Sequence, residues 1–220
     1  ILDLIAPGAG KTFGTINIAD VSKVTGTEAE ITSFLAKIAS NTISADAAID
    51  IDIYDVSSAV TTVTAANLNT FDDYTLGTIG APQATTVTGT VSAISEALTS
   101  SGISVASDID ATFDTIASAT DQNVTDINLV IANTTGTVTG TVTGTPQRMA
   151  DITLSTASGG DATKNLTVNA VGSGDLTALN LSEVDTLTLD DTTTLPDSDA
   201  DMSPTVDFGS QAVTLSGNIN

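Results

Sequence analysis

The sequence predicts a mainly β protein with short helices, in which a region of strands and short helices is followed by an all-β segment of solenoid or sandwich character. Of the 220 residues, 40 are threonine and 23 are aspartate, which favour strands, turns and helix caps over helix interiors. Only 3% of the residues are aromatic, so thin layers of Val, Ile, Leu and Ala are expected in the core. Many short runs alternate apolar and polar residues, which is the strand period.

A short recurring phrase marks the predicted starts of helices. Val-Thr-Gly-Thr occurs four times, at Val24–Thr27, Val87–Thr90, Val138–Thr141 and Val142–Thr145. Threonine is a good N-cap, and apolar residues that follow at spacings of three to four lie on one helix face. Glu30, three residues after Thr27, completes a capping box in the first copy. We therefore predict a short helix after each of five threonines: Thr27, Thr64, Thr90, Thr120 and Thr145.

Strand-like runs precede three of these helices, at Ile49–Val56, Thr85–Val87 and Thr135–Val142. The five caps are 37, 26, 30 and 25 residues apart, which is too irregular for a strict solenoid. Residues 1–150 are therefore predicted to be a repeat region, in which each repeat holds one strand, one short helix and a variable loop. A duplicated globular domain is the alternative.

Residues 151–220 have a different character. Short alternating runs lie between Gly- and Asp-rich turns, at Asp151–Leu154, Leu166–Val168, Leu176–Leu181, Thr186–Leu189, Val206–Phe208 and Val213–Leu215. Helical spacing is missing from this segment, so it is predicted to be all-β, either a parallel β-solenoid or a sandwich.

The charge excludes several classes of function. Five Lys and Arg residues against 27 Asp and Glu residues give a net charge of −22, so no binding to nucleic acid or to anionic membrane surfaces is expected. The longest apolar runs are too short for a membrane span, so no membrane insertion is expected either. The chain contains no His and no Cys, which removes the imidazole base and the thiolate nucleophile. We expect no enzyme activity and no catalytic residues.

Clustered aspartates indicate divalent cations as partners, because Ca²⁺ takes several oxygen ligands from acidic loops. Strand alternation over Ile49–Ile53 would put Asp50 and Asp52 on one solvent face. The run from Asp197 to Asp201 begins like an EF-hand loop, although Met202 stands where that loop has glycine. A solvated acidic face is the alternative for each cluster. The predicted Ca²⁺ ligands are Asp50, Asp52, Asp55, Asp108, Asp110, Asp190, Asp191, Asp197, Asp199 and Asp201.

The segment Val63–Leu68, the recurring Val-Thr-Gly-Thr and the composition rich in Asp, Thr and Ala carry a family likeness. They resemble the repeats of large secreted surface proteins of bacteria and cyanobacteria, which include surface-layer proteins, haemolysin-type calcium-binding proteins and giant adhesins. The resemblance implies an extracellular or cell-surface location, β-rich modules stabilised by Ca²⁺ and a structural or adhesive role.

The function expected is that of a structural subunit in an extracellular assembly, such as a surface layer, a filament or an adhesin stalk. Its partners would be copies of itself in a homopolymer or array, with Ca²⁺ screening the negative charge. Edge strands within Ile16–Val24 and Thr214–Ile219 would then be paired by neighbouring copies. A carbohydrate- or surface-binding module of an adhesin or phage fibre is the alternative.

Overall fold

The computed structural model describes residues 15–55, 60–152, 164–170, 186–189 and 212–215. The strands in these ranges are β1 (Ile16–Ile18), β2 (Lys23–Gly26), β3 (Ile43–Ala45), β4 (Asp50–Ile53), β5 (Thr62–Thr64), β6 (Ile79–Gly80), β7 (Thr86–Gly89), β8 (Ile103–Ser104), β9 (Asp110–Phe113), β10 (Val138–Gly144), β11 (Lys164–Ala170), β12 (Thr186–Leu189) and β13 (Ala212–Leu215). The helices are α1 (Glu28–Ala39), α2 (Ala65–Asp72), α3 (Val91–Thr99), α4 (Asp121–Asn133) and α5 (Pro146–Ala150).

The fold is mixed α/β with parallel sheets, so the prediction of a mainly β chain that ends in an all-β solenoid or sandwich is wrong. Helices α1 and α4 are 12 and 13 residues long, which is more than a short connecting turn. The composition misled the prediction because many threonines and aspartates lie at helix ends and turns. The interior of α1 is instead supplied by good helix formers such as Ala29, Leu35 and Ala36.

The strands predicted in the C-terminal segment are present in part. β11, β12 and β13 include the predicted runs at 166–168, 186–189 and 213–215, and all three pair in parallel. Residues 151 and 152 form a turn and a bend after α5, so the strand predicted to start at Asp151 does not begin there. The runs at 176–181 and 206–208 lie outside the described residues.

All five predicted helix starts are confirmed. Helices α1, α2, α4 and α5 have threonine N-caps, and the α3 amide of Ala93 donates to the hydroxyl of Thr90. In α1, Glu30 completes the predicted capping box. Nine of the ten apolar residues that follow the caps at helical spacing are buried, namely Ile31, Phe34, Leu68, Phe71, Ile94, Val124, Ile127, Met149 and Ile152, whereas Leu98 of α3 is half-buried. The sequence pattern therefore located the start of each helix and most of its inner face.

The described residues divide into two compact units. The first comprises the described residues up to Thr85 together with Ser100–Ala106, and the second comprises Thr86–Thr99 together with the described residues from Ser107 onward. In the first unit a parallel sheet has the strand order β2-β4-β6-β8, and β1 pairs with β3. In the second unit the parallel order is β7-β9-β10-β11-β12-β13. The boundary predicted between residues 1–150 and 151–220 stays a prediction.

The four-stranded sheet of the first unit is a ladder with a similar step between successive strands. In the first unit Lys23 lies beside Asp50, Ile51 beside Ile79 and Ile79 beside Ile103, which are steps of 27, 28 and 24 residues. Helix α1 lies between β2 and β4 in the chain, and α4 lies between β9 and β10. Parallel neighbours need a crossover of a dozen or more residues, and these helices supply it. In these two cases a strand and the helix that follows it belong to one step of a parallel ladder. The repeat region predicted for residues 1–150 stays a prediction.

Candidate functional site

Strand β4 presents two aspartates on the outer face of the first unit's sheet. Ile51 and Ile53 are fully buried, whereas Asp50 and Asp52 are half-buried. This alternation confirms the strand geometry that the sequence predicted for the stretch. The two carboxylates are neighbours on one face, but they have different partners.

Asp50 and its counterpart in the second unit, Asp110, each bind a backbone amide of the next turn. The Oδ1 atom of Asp50 accepts a hydrogen bond of 2.8 Å from the Thr78 amide, directly before β6. The Oδ1 atom of Asp110 accepts one of 2.7 Å from the Thr137 amide, directly before β10. Asp50 and Asp110 are both predicted Ca²⁺ ligands, and in each of them one carboxylate oxygen instead binds the backbone at the start of a neighbouring strand.

A threonine and a glycine build the same corner just before each of these amides. In the first unit the hydroxyl of Thr75 lies 3.0 Å from the Ala47 carbonyl oxygen and 2.7 Å from that of Ile49. The same hydroxyl accepts a hydrogen bond of 2.9 Å from the Gly77 amide. Thr75 is buried, so its side chain satisfies backbone groups that water does not reach.

The second unit repeats this corner with different residues. The hydroxyl of Thr134 donates to the carbonyl oxygen of Ile109 and accepts from the amide of Gly136. A Cβ atom added at Gly136 would lie 2.5 Å from the carbonyl oxygens of Asp108 and Ile109, and one added at Gly77 would lie 2.5 Å from that of Ile49. Only glycine fits at these two positions, because the obstacle is backbone.

Sequence analysis missed these corners, although a signal for them was present. Thr-x-Gly-Thr occurs at residues 75–78 and 134–137, and in both copies the final threonine comes 27 or 28 residues after an aspartate that begins a strand. Thr-x-Gly-Thr is similar to the helix-start phrase Val-Thr-Gly-Thr, so it was not recognised as a separate motif. Its role depends on contacts with the carbonyl groups of a neighbouring turn, which is distant along the chain.

Asp52 forms an ion pair with Lys23 across two strands. The Lys23 ammonium lies 2.8 Å from Asp52 Oδ2, and the two side chains are 50% and 25% exposed. The hydrogen bond to Asp52 raises the pKa of Lys23 above its ordinary value of 10.5, and the charges of Asp52 and Asp50 act in the same direction. Lys23 is therefore a stable cation at neutral pH, beside two carboxylates.

A groove of about 510 Å³, lined by both polar and apolar groups, surrounds this ion pair within the first unit. Its floor is the outer face of β2, β4, β6 and β8, and the turns that follow β6 and β8 form one side. The lining residues are Lys23, Asp50, Asp52, Thr78, Gly80, Ala81, Pro82, Ser104, Val105 and Ala106. The groove thus combines one cation, two carboxylates, hydroxyl groups and a small apolar wall.

The other predicted Ca²⁺ ligands are placed as follows. The backbone amide of Asp55 donates to Gln83 Oε1 at 3.2 Å, and Asp108 is exposed in the turn before β9. In the described ranges no three acidic side chains come together as a metal-binding group. Five predicted ligands lie outside the described residues, namely Asp190, Asp191, Asp197, Asp199 and Asp201. Calcium binding stays a prediction.

Two further findings bear on identity. In the part of the chain that the structure describes, no helix has both the length and the apolar character needed to cross a bilayer. Neither a family model, nor a curated protein, nor a solved structure matches the chain at a significant level.

Proposed function

We propose that the chain is a structural subunit of an extracellular assembly, in which copies join by strand pairing at the ends of their parallel ladders. The observation that carries this proposal is the stepwise parallel register, in which each strand contacts only its neighbours along the ladder. Such a ladder can be extended by another strand of the same kind without any change to its interior. The product would be a filament, a layer or a stalk.

Two strands that contain the same phrase differ in how many of their edges are paired. Val142 in β10 lies between Ile116 on one side and Val168 on the other. Val24 in β2 pairs with Ile51, and β2 is the terminal strand of its sheet among the described residues. The second edge of β2 is thus the position at which a further parallel strand would continue the ladder.

The backbone of β2 is oriented to accept such a strand. The carbonyl groups of Ser22 and Gly26 accept hydrogen bonds from the amides of Asp50 and Tyr54, so these positions face β4. Because backbone groups alternate along a strand, the amides of Lys23 and Thr25 face the opposite edge. An open edge of this kind is a template for pairing with another chain. A strand from a second copy would make a head-to-tail contact, which extends without closing.

Charge explains how such an assembly would be regulated. A net charge of −22 per chain opposes close packing of copies, and divalent cations reduce that repulsion more strongly than monovalent ions do. Exposed carboxylates such as Asp108 are available to Ca²⁺ at an interface between copies. Calcium is thus proposed as the cation that permits association, in keeping with an extracellular location.

Sedimentation velocity of the full chain, first in chelator and then after addition of Ca²⁺, tests the proposal. We expect one small species in chelator and large species with Ca²⁺, which dissociate again on chelation. Thr25→Pro removes an outward amide of β2 and should prevent growth, whereas Thr25→Val keeps the amide and should not. Circular dichroism establishes that both variants are folded.

The proposal is wrong if the chain stays a single small species under both conditions. It is also wrong if folded Thr25→Pro assembles as readily as Thr25→Val, because the β2 edge would then have no part in growth.

A further inference from the structure

We propose that the groove around Lys23 and Asp52 binds a neutral carbohydrate through neighbouring hydroxyl groups. This inference concerns recognition of a small ligand and does not depend on assembly. The groove lies entirely within the first unit, and Lys23, Asp50, Asp52 and Ser104 lie on strands, whereas Thr78 directly precedes β6. Sites built on strands keep their geometry better than sites built on loops.

Cross-strand register arranges the polar groups in two rows. Lys23 lies beside Asp50, whose carboxylate binds the Thr78 amide. In the second row Asp52 lies beside Gly80, and Gly80 lies beside Ser104. Neighbouring strands are about 4.8 Å apart, so Asp52 and Ser104 are separated by about twice that distance across the glycine. Asp52 and Ser104 both line the groove, on either side of Gly80.

Gly80 makes room for the Asp52 carboxylate in the groove. A Cβ atom at this position would collide with Oδ1 of Asp52, which shows that the carboxylate lies over the bare glycine backbone. The Lys23 ammonium contacts the other oxygen, Oδ2. Asp52 Oδ1 is therefore placed at the floor of the groove, near the Lys23 ammonium. It can accept a hydrogen bond from a ligand hydroxyl.

The charges of the groove favour a neutral ligand over a charged one. An anion would meet two carboxylates and a strongly acidic protein, and a cation would compete with Lys23 for Asp52. A pair of neighbouring hydroxyl groups can donate to the carboxylate and accept from the ammonium, so the ion pair is kept and both partners gain a hydrogen bond.

The small apolar wall completes the site. Ala81 and Pro82 follow β6, and Val105 and Ala106 follow β8, so four small or compact residues line one side. Binding sites for small molecules combine an apolar wall with a few oriented polar groups. Here the wall would contact the C–H groups of a sugar ring while the hydroxyl groups face Lys23, Asp52 and Ser104.

The experiment titrates the ¹⁵N-labelled full chain with uncharged methyl glycosides that carry neighbouring hydroxyl groups, such as methyl α-mannopyranoside and methyl β-galactopyranoside. Glucuronate and glucosamine serve as charged probes. For at least one methyl glycoside we expect saturable amide shifts at Gly80 and Ser104, with a Kd of about 1 mM, as suits an open groove with few polar groups. Both charged probes should bind at least about tenfold more weakly, which is about 1.4 kcal/mol.

Two variants separate the groove from general surface effects. Gly80→Ala displaces the flexible Asp52 carboxylate and should weaken binding about tenfold or more. Asp121→Asn breaks the ion pair of 2.7 Å between Arg148 and Asp121, which lies in the second unit, and should leave binding unchanged.

The proposal is overturned if none of the methyl glycosides gives a saturable shift, or if glucuronate binds more tightly than they do. Equal binding by folded Gly80→Ala and the parent chain would overturn it as well.

Discussion

The hydroxyl groups of Thr75 and Thr134 are buried, and each contacts backbone groups of two turns. These contacts join the turn that precedes one strand to the turn that precedes the next. The carbonyl oxygen of Ile49 and the amide of Gly77 meet at the single hydroxyl of Thr75. Removal of that hydroxyl would leave buried backbone groups without a partner, which costs more than the loss of an exposed hydrogen bond.

Replacement of Thr75 by Val tests this role. The side chains are similar in shape, so the change removes hydrogen bonds and not volume. We expect the free energy of unfolding to fall by about 1–3 kcal/mol, measured by urea denaturation. Thr25→Val, at an exposed strand position, is the matched control and should change stability by less than about 0.5 kcal/mol. Equal effects of the two variants would contradict the role assigned to Thr75.

Lys23 gives a prediction for alkaline pH. Asp52 raises the pKa of Lys23 in the folded chain, so the protonated lysine stabilises the fold at every pH below the ordinary value of 10.5. That contribution is lost as the pH rises through the raised pKa of the folded state. An NMR titration of the Lys23 side chain should therefore show a midpoint above 10.5. In Asp52→Asn the midpoint should move down toward the ordinary value of 10.5. An unchanged midpoint in Asp52→Asn would show that another group causes the shift.

The five helices begin at similar sequences, yet their N-termini are satisfied in different ways. In α4 the hydroxyl of Thr120 accepts from the Asn123 amide, and Asn123 Oδ1 accepts from the Thr120 amide at 2.9 Å. Asparagine thus takes the place that glutamate has in α1. At α2 the hydroxyl of Thr64 makes no capping bond, and Glu28 of α1 accepts from the Thr64 amide at 2.8 Å. One helix therefore stabilises the start of the next.

Substitution of the N-cap threonines of α4 and α5, both in the second unit, should distinguish a cap that makes a side-chain hydrogen bond from one that does not. Thr120→Ala removes a side-chain cap and should lower the free energy of unfolding by about 1 kcal/mol. Thr145 makes no side-chain capping bond, so Thr145→Ala should cost clearly less. Urea denaturation of both variants measures the difference. A Thr145→Ala variant that is as destabilised as Thr120→Ala would mean that helix propensity, and not capping, decides these positions.

For the whole chain, two properties have opposite effects on association. Among the described residues each ladder has terminal strands, whose edges would favour pairing with further strands, and the net charge of −22 would keep copies apart. The balance between them explains why a cation is proposed as the controlling factor. The largest buried side chains of the described core are mostly aliphatic, and each ladder step contributes only a few of them. The hydrophobic stabilisation per step is therefore small, and it leaves little to offset the repulsion between negative charges.

Much of the local structure could be predicted from the sequence. Helix starts follow from short-range chemistry, because a threonine cap and the apolar residues four to seven positions later belong to one turn or two of helix. The outward direction of Asp50 and Asp52 follows from the two-residue period of a strand. Composition was a poorer guide, because counts of Thr and Asp do not distinguish a strand interior from a helix cap.

The sequence by itself determined where the helices begin, which faces they bury, how β4 alternates and how strongly the chain is charged. Only the tertiary structure decided that the strands pair in parallel, that Asp50 and Asp110 bind amides 28 and 27 residues away, and that Lys23 meets Asp52 beside Gly80. The physical reason is the distance along the chain between the interacting residues. Helix capping and strand alternation are set by neighbours within a few residues, whereas strand partners and the groove depend on which distant segments a parallel crossover brings side by side.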